Sequence, residues 1–181
     1  MLTPLTAISP IDGRYHNKTA ALSRWFSEYA LIRSRLEVEL AWFEFLCTVP
    51  LPELKGTDLS RLEPLRTRIT SLSEADAGRV KEIEHTTNHD VKAVEYWLKE
   101  GLREAGLGME KEFVHFGLTS QDVNNTAVPL LLKDFVFAHH VPQLTALHDR
   151  LHGLALDWAQ VPMLARTHGQ PASPTRLGKE I

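Results

Sequence analysis

The stretch from Trp25 to Cys47 constrains the fold more than any other part of this 181-residue chain. Its apolar side chains recur at steps of three and four residues, the spacing of one face of an α-helix. They are Trp25, Tyr29, Ile32, Leu36, Leu40, Phe43 and Cys47. Pro50 and Pro52 follow, and proline cannot continue a helical backbone, so the helix is expected to end near Leu46. The sequence therefore predicts a helix that is long by globular standards.

Capping and helix-breaking residues indicate further helices after that one. Asp58 is placed to cap a short helix, and Ser73 with Asp76 resembles a capping box that opens a polar helix. Asn88 is expected to cap the next helix, whose stop signal is the Gly-Leu-Gly run at 106–108. These signals predict three helices in this part of the chain.

The second half of the chain shows the same kind of signals. The Thr-Ser pair at 119–120 precedes a helix predicted from about residue 121 to 137, and Pro142 begins another, which Pro162 closes. Residues 174–181 are expected to open a further helix. No segment shows convincing strand alternation, so the predicted fold class is all-α. Two helical groups flank the Gly-Leu-Gly run, which places a predicted domain boundary near residue 110, between domains 1–110 and 111–181.

Composition and charge exclude several classes of function. The chain has 20 Lys and Arg against 23 Asp and Glu, a net charge of −3, and both signs are scattered, so it offers no basic stripe for nucleic acid. The single Cys47 cannot form an internal disulfide, and the first residues lack the features of a secretory signal, which together favour a cytoplasmic location. No apolar run is long and charge-free enough for a membrane span.

Four short polar segments stand at helix entries or irregular turns rather than on solvated helix faces. They cover residues 9–15, 87–90, 115–122 and 166–172. Helix amino-termini present unpaired N–H groups and a partial positive charge, so they bind carboxylates and phosphates readily. Two of the four segments fall at such positions, which makes them candidates for binding an anionic ligand.

Each of these two segments also has a purely structural interpretation. Thr119 and Ser120 could be an ordinary capping pair, although the weak helix formers Asn124 and Asn125 just inside the first turns favour a functional site. His89 and Asp90 could likewise be a simple charge arrangement in the first turn of a helix. Both interpretations remain open from the sequence alone.

The segment 166–172 is the more specific candidate for chemistry. Histidine titrates nearest neutrality, so His168 can donate or accept a proton during turnover. Its polar neighbours can bind an anionic substrate, and a Gly-x-Pro bend fixes the backbone. Arg14 and Tyr15 could add a cation and a phenol for a phosphate, or form a surface turn. His148 and His152 lie one turn apart but lack a third ligand, so no metal site is predicted.

Taken together and in this order, the four segments resemble the adenylosuccinate lyase family of the fumarase/aspartase superfamily, in its bacterial type. The resemblance covers essentially the whole chain, although the Thr-Ser and Thr-His-Gly-Gln-Pro elements occur across the superfamily. It implies elimination of fumarate from adenylosuccinate to give AMP, and from the succinyl-carboxamide ribonucleotide SAICAR to give AICAR. It implies no metal and no organic cofactor. The region 111–181 would then begin a long-helix bundle domain.

The resemblance also implies a role for ten residues of this chain. His168 matches the general acid that protonates the departing nitrogen, and Thr167 helps to hold the succinyl part. Thr119 and Ser120 match the pair that binds a substrate carboxylate. The other matched positions are Arg14 and Tyr15 at the nucleotide, Asn88, His89 and Asp90 at another substrate contact with His89 near the general acid, and His115 near the phosphate.

Two parts of the implied machinery have no counterpart in these residues. The base would be a serine on a flexible loop with a Met-Pro-x-Lys-x-Asn signature, which the 181 residues do not contain. The long central helices that assemble a homotetramer, with active sites drawn from three subunits, are missing as well. The alternatives are a sibling lyase that acts on argininosuccinate or malate, and a helical scaffold without catalysis.

Because the implied base lies outside residues 1–181, we predict that these residues alone do not release fumarate from adenylosuccinate. The absorbance change that accompanies fumarate formation measures this directly. Turnover near that of an intact lyase would contradict the prediction.

Overall fold

The chain is mainly helical in the computed structural model, which describes residues 3–181. The α-helices are α1 His16–Thr19, α2 Ser23–Phe26, α3 Glu28–Leu46, α4 Glu63–Thr70, α5 Glu74–Thr87, α6 Asp90–Glu104, α7 Ser120–Phe135 and α8 Val141–Asp157. Short 3-10 helices cover Ala20–Leu22, Pro52–Leu54, Leu59–Leu62, Glu110–Phe113 and Leu177–Lys179, and Val136–His140 is π-helical. Two strands, β1 Pro162–Thr167 and β2 Gln170–Arg176, pair as an antiparallel hairpin. None of the helices in the described residues combines the length and apolarity needed to cross a membrane.

The chain divides into two compact units, Met1–Lys133 and Asp134–Ile181. The first holds the apolar core and the second holds α8 and the hairpin. The division falls inside the last turn of α7. The domain boundary that the sequence places near residue 110 stays a prediction.

Helix α3 is the centre of the first unit, where it packs against α4, α5 and α6. Its predicted apolar face is confirmed, because Ile32, Leu36, Leu40 and Phe43 are all buried. The predicted helix is interrupted once, at Ser27, whose extended backbone separates α2 from α3 and whose hydroxyl accepts the Ala30 N–H as a cap.

Most of the predicted caps are confirmed in the first unit. The Asp58 carboxylate accepts the Ser60 N–H at the start of the short 3-10 helix, and Ser73 forms a complete capping box with Asp76. Gly106, at a φ of 77°, ends α6 as predicted.

The predicted capping role of Asn88 is wrong. Asn88 closes α5 instead, in a left-handed conformation with φ 50°, which asparagine tolerates better than most residues. His89 is the residue that caps α6, since its Nδ1 accepts the Lys92 N–H at 3.1 Å. A ring nitrogen thus takes the place of the usual side-chain oxygen.

The expectation of no strands is wrong for the second unit. Pro162 begins β1 rather than closing a helix, and residues 174–181 continue β2 into a 3-10 turn rather than opening a long helix. Both strands are largely exposed on both faces, so no apolar alternation marks them. Their prolines are tolerated because both strands are edges.

The second unit has little apolar interior of its own. No residue in the described stretch 134–181 is buried, and α8 exposes Leu144, Leu147 and Leu151 at 52%, 56% and 43%. These three residues lie at helical spacing on one face. A continuous exposed apolar face of this kind is typical of a surface that other protein covers.

Replacing Leu98, which is fully buried on α6, with alanine tests the core assignment. We expect Leu98→Ala to lower the free energy of unfolding by about 2–5 kcal/mol, because it leaves a cavity that the helices cannot fill. Met109→Ala is the control, since Met109 is 88% exposed and should change it by no more than about 0.5 kcal/mol. Urea unfolding of both variants measures the difference, and equal effects would contradict the assignment.

Candidate active site

The first turn of α7 has unpaired backbone N–H groups, next to a cap that Thr119 and Asp122 form with each other. The N–H and hydroxyl of Thr119 both donate to the Asp122 carboxylate, each at 2.7 Å. These two hydrogen bonds hold the pKa of Asp122 below its usual range. The N–H groups of Ser120 and Gln121 have no intrahelical partner, since they belong to the first turn. They remain available for an anion, as the sequence predicts.

His89 lies beside this helix terminus. Its Nε2 is 3.4 Å from the hydroxyl oxygen of Ser120, although the two residues are 31 positions apart. Because Nδ1 accepts the Lys92 N–H, a neutral ring carries its proton on Nε2, which can donate to Ser120. The His89 side chain is half exposed, so both groups face solvent. The structure therefore brings together two segments that the sequence marked separately.

A buried arginine also joins the start of α6 to the first turns of α7. The Arg35 guanidinium donates to Asp90 at 2.7 Å and to the side-chain oxygen of Asn124 at 2.9 Å. Burial disfavours the charged form of Asp90, but the Val91 N–H and Arg35 outweigh it, so the pKa of Asp90 lies below its usual range. Asn124, a weak helix former in α7, thus has a structural partner. The start of α6 and the start of α7 are held by one side chain.

His115 has a buried partner of its own on α3. Its backbone is left-handed, with φ 62°, and its Nδ1 contacts the Glu39 carboxylate on α3. Burial raises the pKa of Glu39, while His115 counteracts part of that effect. His115 also contributes to the lowered pKa of Asp122, so its ring lies within electrostatic reach of the α7 cap.

The buried polar residues of α3 are site residues that no local sequence pattern marks. Ser34, Arg35 and Glu39 are 1%, 5% and 0% exposed, and each binds a group in the segments that carry the site or in α7. Ser34 donates to the Ala127 carbonyl of α7 at 3.1 Å. Arg35 and Glu39 are four residues apart, a spacing that favours a solvated pair on a helix surface, so local sequence gave no signal of burial.

Arg14 and Tyr15 lie in an irregular amino-terminal segment with defined backbone contacts. Gly13 is required there, because a Cβ atom would stand 2.8 Å from the Pro4 carbonyl oxygen. Arg14 lies over the ring of Tyr15 at 5.5 Å, and both side chains are exposed. Within residues 3–181, neither side chain of this pair forms a hydrogen bond or an ion pair with His89 or with the α7 terminus.

His168 and Thr167 belong to the hairpin of the second unit. Thr167 pairs with Gln170, which leaves His168 and Gly169 as a two-residue turn. Their φ values, 49° and 78°, are both positive, as a type I′ turn requires. Glycine suits the second position, and at the first position the turn holds an exposed imidazole at its tip. The bend therefore lies at His168 and Gly169, whereas the predicted Gly-x-Pro bend is wrong in its extent, because Gln170 and Pro171 belong to β2.

Space for a ligand adjoins the α7 terminus. A groove of about 590 Å³ between α3 and α7 is lined mainly by apolar side chains and includes Asp122 and Leu118. Its size falls within the range of small-molecule sites. No group of three or more His, Cys, Asp or Glu side chains in residues 3–181 is arranged to hold a metal ion.

A protein-family model described as a lyase matches residues 13–181. The chain therefore belongs to this lyase family. A crystal structure of a fumarate lyase from Mesorhizobium sp. BNC1 superposes with a TM-score of 0.66 at 21% identity. The match covers 89% of this chain and 35% of that one. It confirms the predicted helical fold of the fumarase/aspartase type.

Curated relatives carry a more specific name. An adenylosuccinate lyase from Dictyostelium discoideum is 49% identical, one from Legionella pneumophila (strain Corby) is 46% identical, and one from Escherichia coli (strain K12) is 44% identical. Each match covers 99% of this chain. The chain spans 40% of the length of these relatives.

The pair formed by Arg35 and Asp90 predicts a pH effect on stability. Because the pKa of Asp90 is lowered in the folded chain, its contribution is present above the unfolded value, about 3.9, and is lost as pH falls through the folded value. We expect Asp90→Asn to lower the free energy of unfolding by about 1 kcal/mol at neutral pH, since the carboxylate is half exposed. This difference should shrink below about pH 4.

Chemical denaturation between pH 2 and 7 measures this effect. In an Arg35→Met background, the same change at Asp90 should cost less, because its partner is already gone. A difference between wild type and Asp90→Asn that stays constant through the acid range would show that Asp90 does not act through its charge.

Proposed function

We propose that the protein to which these residues belong is an adenylosuccinate lyase. The observation that carries the proposal is that relatives of this name match 99% of the chain at 44–49% identity. The site geometry supports it independently, since the predicted carboxylate-binding pair stands at a solvent-facing helix terminus beside His89. The proposed reactions are release of fumarate from adenylosuccinate and from SAICAR.

The α7 terminus suits the charge that such an elimination develops. A base removes a proton from the carbon next to a substrate carboxylate, and the electron pair left behind spreads onto that carboxylate. As the C–N bond breaks, the pair forms the double bond of fumarate and the nitrogen leaves with the bond electrons. Donors fixed in advance around the carboxylate lower this barrier. The N–H groups of Ser120 and Gln121, the Ser120 hydroxyl and the helix dipole are donors of that kind.

His168 is proposed as the general acid that delivers a proton to the leaving nitrogen. Its place at the tip of a two-residue turn supports this role, because the turn fixes the backbone while the ring stays accessible. Thr167 precedes it on β1 and is proposed to bind the succinyl part. Arg14, Tyr15 and His115 are proposed for the nucleotide, and Asn88, His89 and Asp90 for a further substrate contact. The base is proposed to be a serine outside these residues.

We further propose a homotetramer in the cytoplasm as the working form. The exposed apolar face of α8, with Leu144, Leu147 and Leu151, supports an assembly, because a surface of this kind is normally covered. Light scattering of the complete protein tests this, and a monomer at micromolar concentration would argue against it.

Replacing His168 tests the catalytic role. We expect His168→Ala in the complete protein to lower kcat for adenylosuccinate by roughly 10²–10⁴-fold, the usual contribution of a general acid. His148→Ala is the matched control, since His148 is an exposed histidine on α8 and should leave kcat unchanged. Normal turnover by His168→Ala would rule out His168 as the general acid. A wild-type protein that releases no fumarate from adenylosuccinate would rule out the lyase function.

The nucleotide phosphate separates this proposal from a sibling lyase. AMP should raise the Tm of the complete protein by binding its folded state, whereas argininosuccinate or malate should not. Protection by argininosuccinate or malate instead would favour the sibling.

A further inference from the structure

Glu39 is the most deeply buried charged side chain among the described residues, and its environment is unusual. It is 0% exposed, one of its oxygens contacts His115 Nδ1, and the other oxygen has no hydrogen-bond partner. Leaving a buried acidic oxygen unpaired costs roughly 1–3 kcal/mol. A role that only stabilised the fold would be served better by an apolar side chain of similar size.

The contact with Glu39 determines which atom of His115 can meet a ligand. One proton lies between the carboxylate and Nδ1, whichever of the two holds it more tightly. Nε2 is then the ring nitrogen left over, and the ring is 19% exposed. The left-handed backbone of His115 is a strained conformation for a residue with a Cβ atom. A ring fixed at Nδ1 and local backbone strain occur together at this one residue.

The charges around the pair come from three helices. Glu39 on α3 and Glu95 on α6 are both buried and repel each other, and Lys92 and Lys99 bind Glu95 at 2.8 and 3.0 Å. On the side of α7, Asp122 is within electrostatic reach of His115 but is already bound by Thr119. The acidic groups near the pair are therefore already bound, Glu95 by two lysines and Asp122 by Thr119.

We propose that Glu39 is a positioning residue for His115, which holds the ring by Nδ1 so that Nε2 binds the substrate phosphate as an imidazolium. This inference rests on the proposed function and assigns Glu39 a part in it. Nucleotide binding is then coupled to uptake of a proton by the Glu39–His115 pair. Glu39 does not touch substrate and acts only through His115.

Calorimetry of the complete protein with AMP tests the coupling. At pH 8 the free phosphate is fully ionised, so a proton taken up on binding is taken up by the protein. Titrations in Hepes and in Tris, which differ in ionisation enthalpy, give the number of protons. We expect uptake of a substantial fraction of a proton by wild type, and none by Glu39→Gln, which keeps the shape but not the charge.

The kinetic readout separates positioning from folding. We expect Glu39→Gln to raise KM for adenylosuccinate roughly 10-fold or more, the scale of a hydrogen bond to a charged group, with kcat changed far less. For the dephosphorylated substrate, succinyladenosine, Glu39→Gln should leave KM unchanged. In a His115→Ala background, Glu39→Gln should have no further effect. Glu44→Gln is the control on the same helix, since Glu44 binds Arg66 and no histidine.

The possible outcomes separate the positioning role of Glu39 from the proposed lyase function. If Glu39→Gln and wild type bind AMP with equal affinity and take up equal numbers of protons, Glu39 is not a positioning residue. Fumarate release by the same proteins would still support the proposed lyase function. A protein that neither binds AMP nor releases fumarate would overturn both. If Glu39→Gln fails to fold, comparison of proton uptake in wild type and His115→Ala still decides, and equal uptake in those two proteins would overturn the inference.

Discussion

The buried polar residues of α3 are the constraint on which the first unit depends. Ser34, Arg35 and Glu39 lie among the buried residues of α3, most of which are apolar. A buried polar group without a partner costs of order 1–3 kcal/mol, more if it is charged, so each of the three must find one partner in the fold. The partners lie 55 to 93 positions further along the chain. Because these buried groups need their hydrogen-bond partners, they fix where those distant segments can lie.

The segments fixed in this way are the ones that form the candidate site. Arg35 holds the first turns of α7 through Asn124 and the start of α6 through Asp90, Ser34 holds the middle of α7 at Ala127, and Glu39 holds the ring of His115. The functional groups face solvent, and their supports lie in the core. This arrangement sets the donors in place before any ligand arrives, which is what electrostatic catalysis requires. It also explains why α3 retains two buried charged residues at an energetic cost.

The sequence predicted features that depend on near neighbours. Apolar periodicity predicted α3, and the capping residues Asp58 and Ser73 predicted where two helices begin. Clusters of polar residues at helix entries marked the two segments that the structure brings together around Ser120. The roles of individual residues in binding and catalysis remain predictions.

Features that depend on distant partners could not be predicted from local patterns. Arg35 and Glu39 have the spacing of a surface pair, and only the packing of α6 and the 115–122 segment onto α3 buries them. The hairpin escaped notice because both its faces are exposed, so apolar alternation is absent. At Asn88, a cap and a left-handed helix end favour the same residue type, and local sequence did not separate them.

A crystal structure of the complete protein with bound adenylosuccinate tests most directly whether α3 organises an anion-binding site. The account predicts a substrate carboxylate at the Ser120 and Gln121 N–H groups, with Arg35 still bound to Asp90 and Asn124, and Glu39 still bound to His115. A substrate bound far from the α7 terminus, or a bound state in which those α3 contacts are broken, would contradict it.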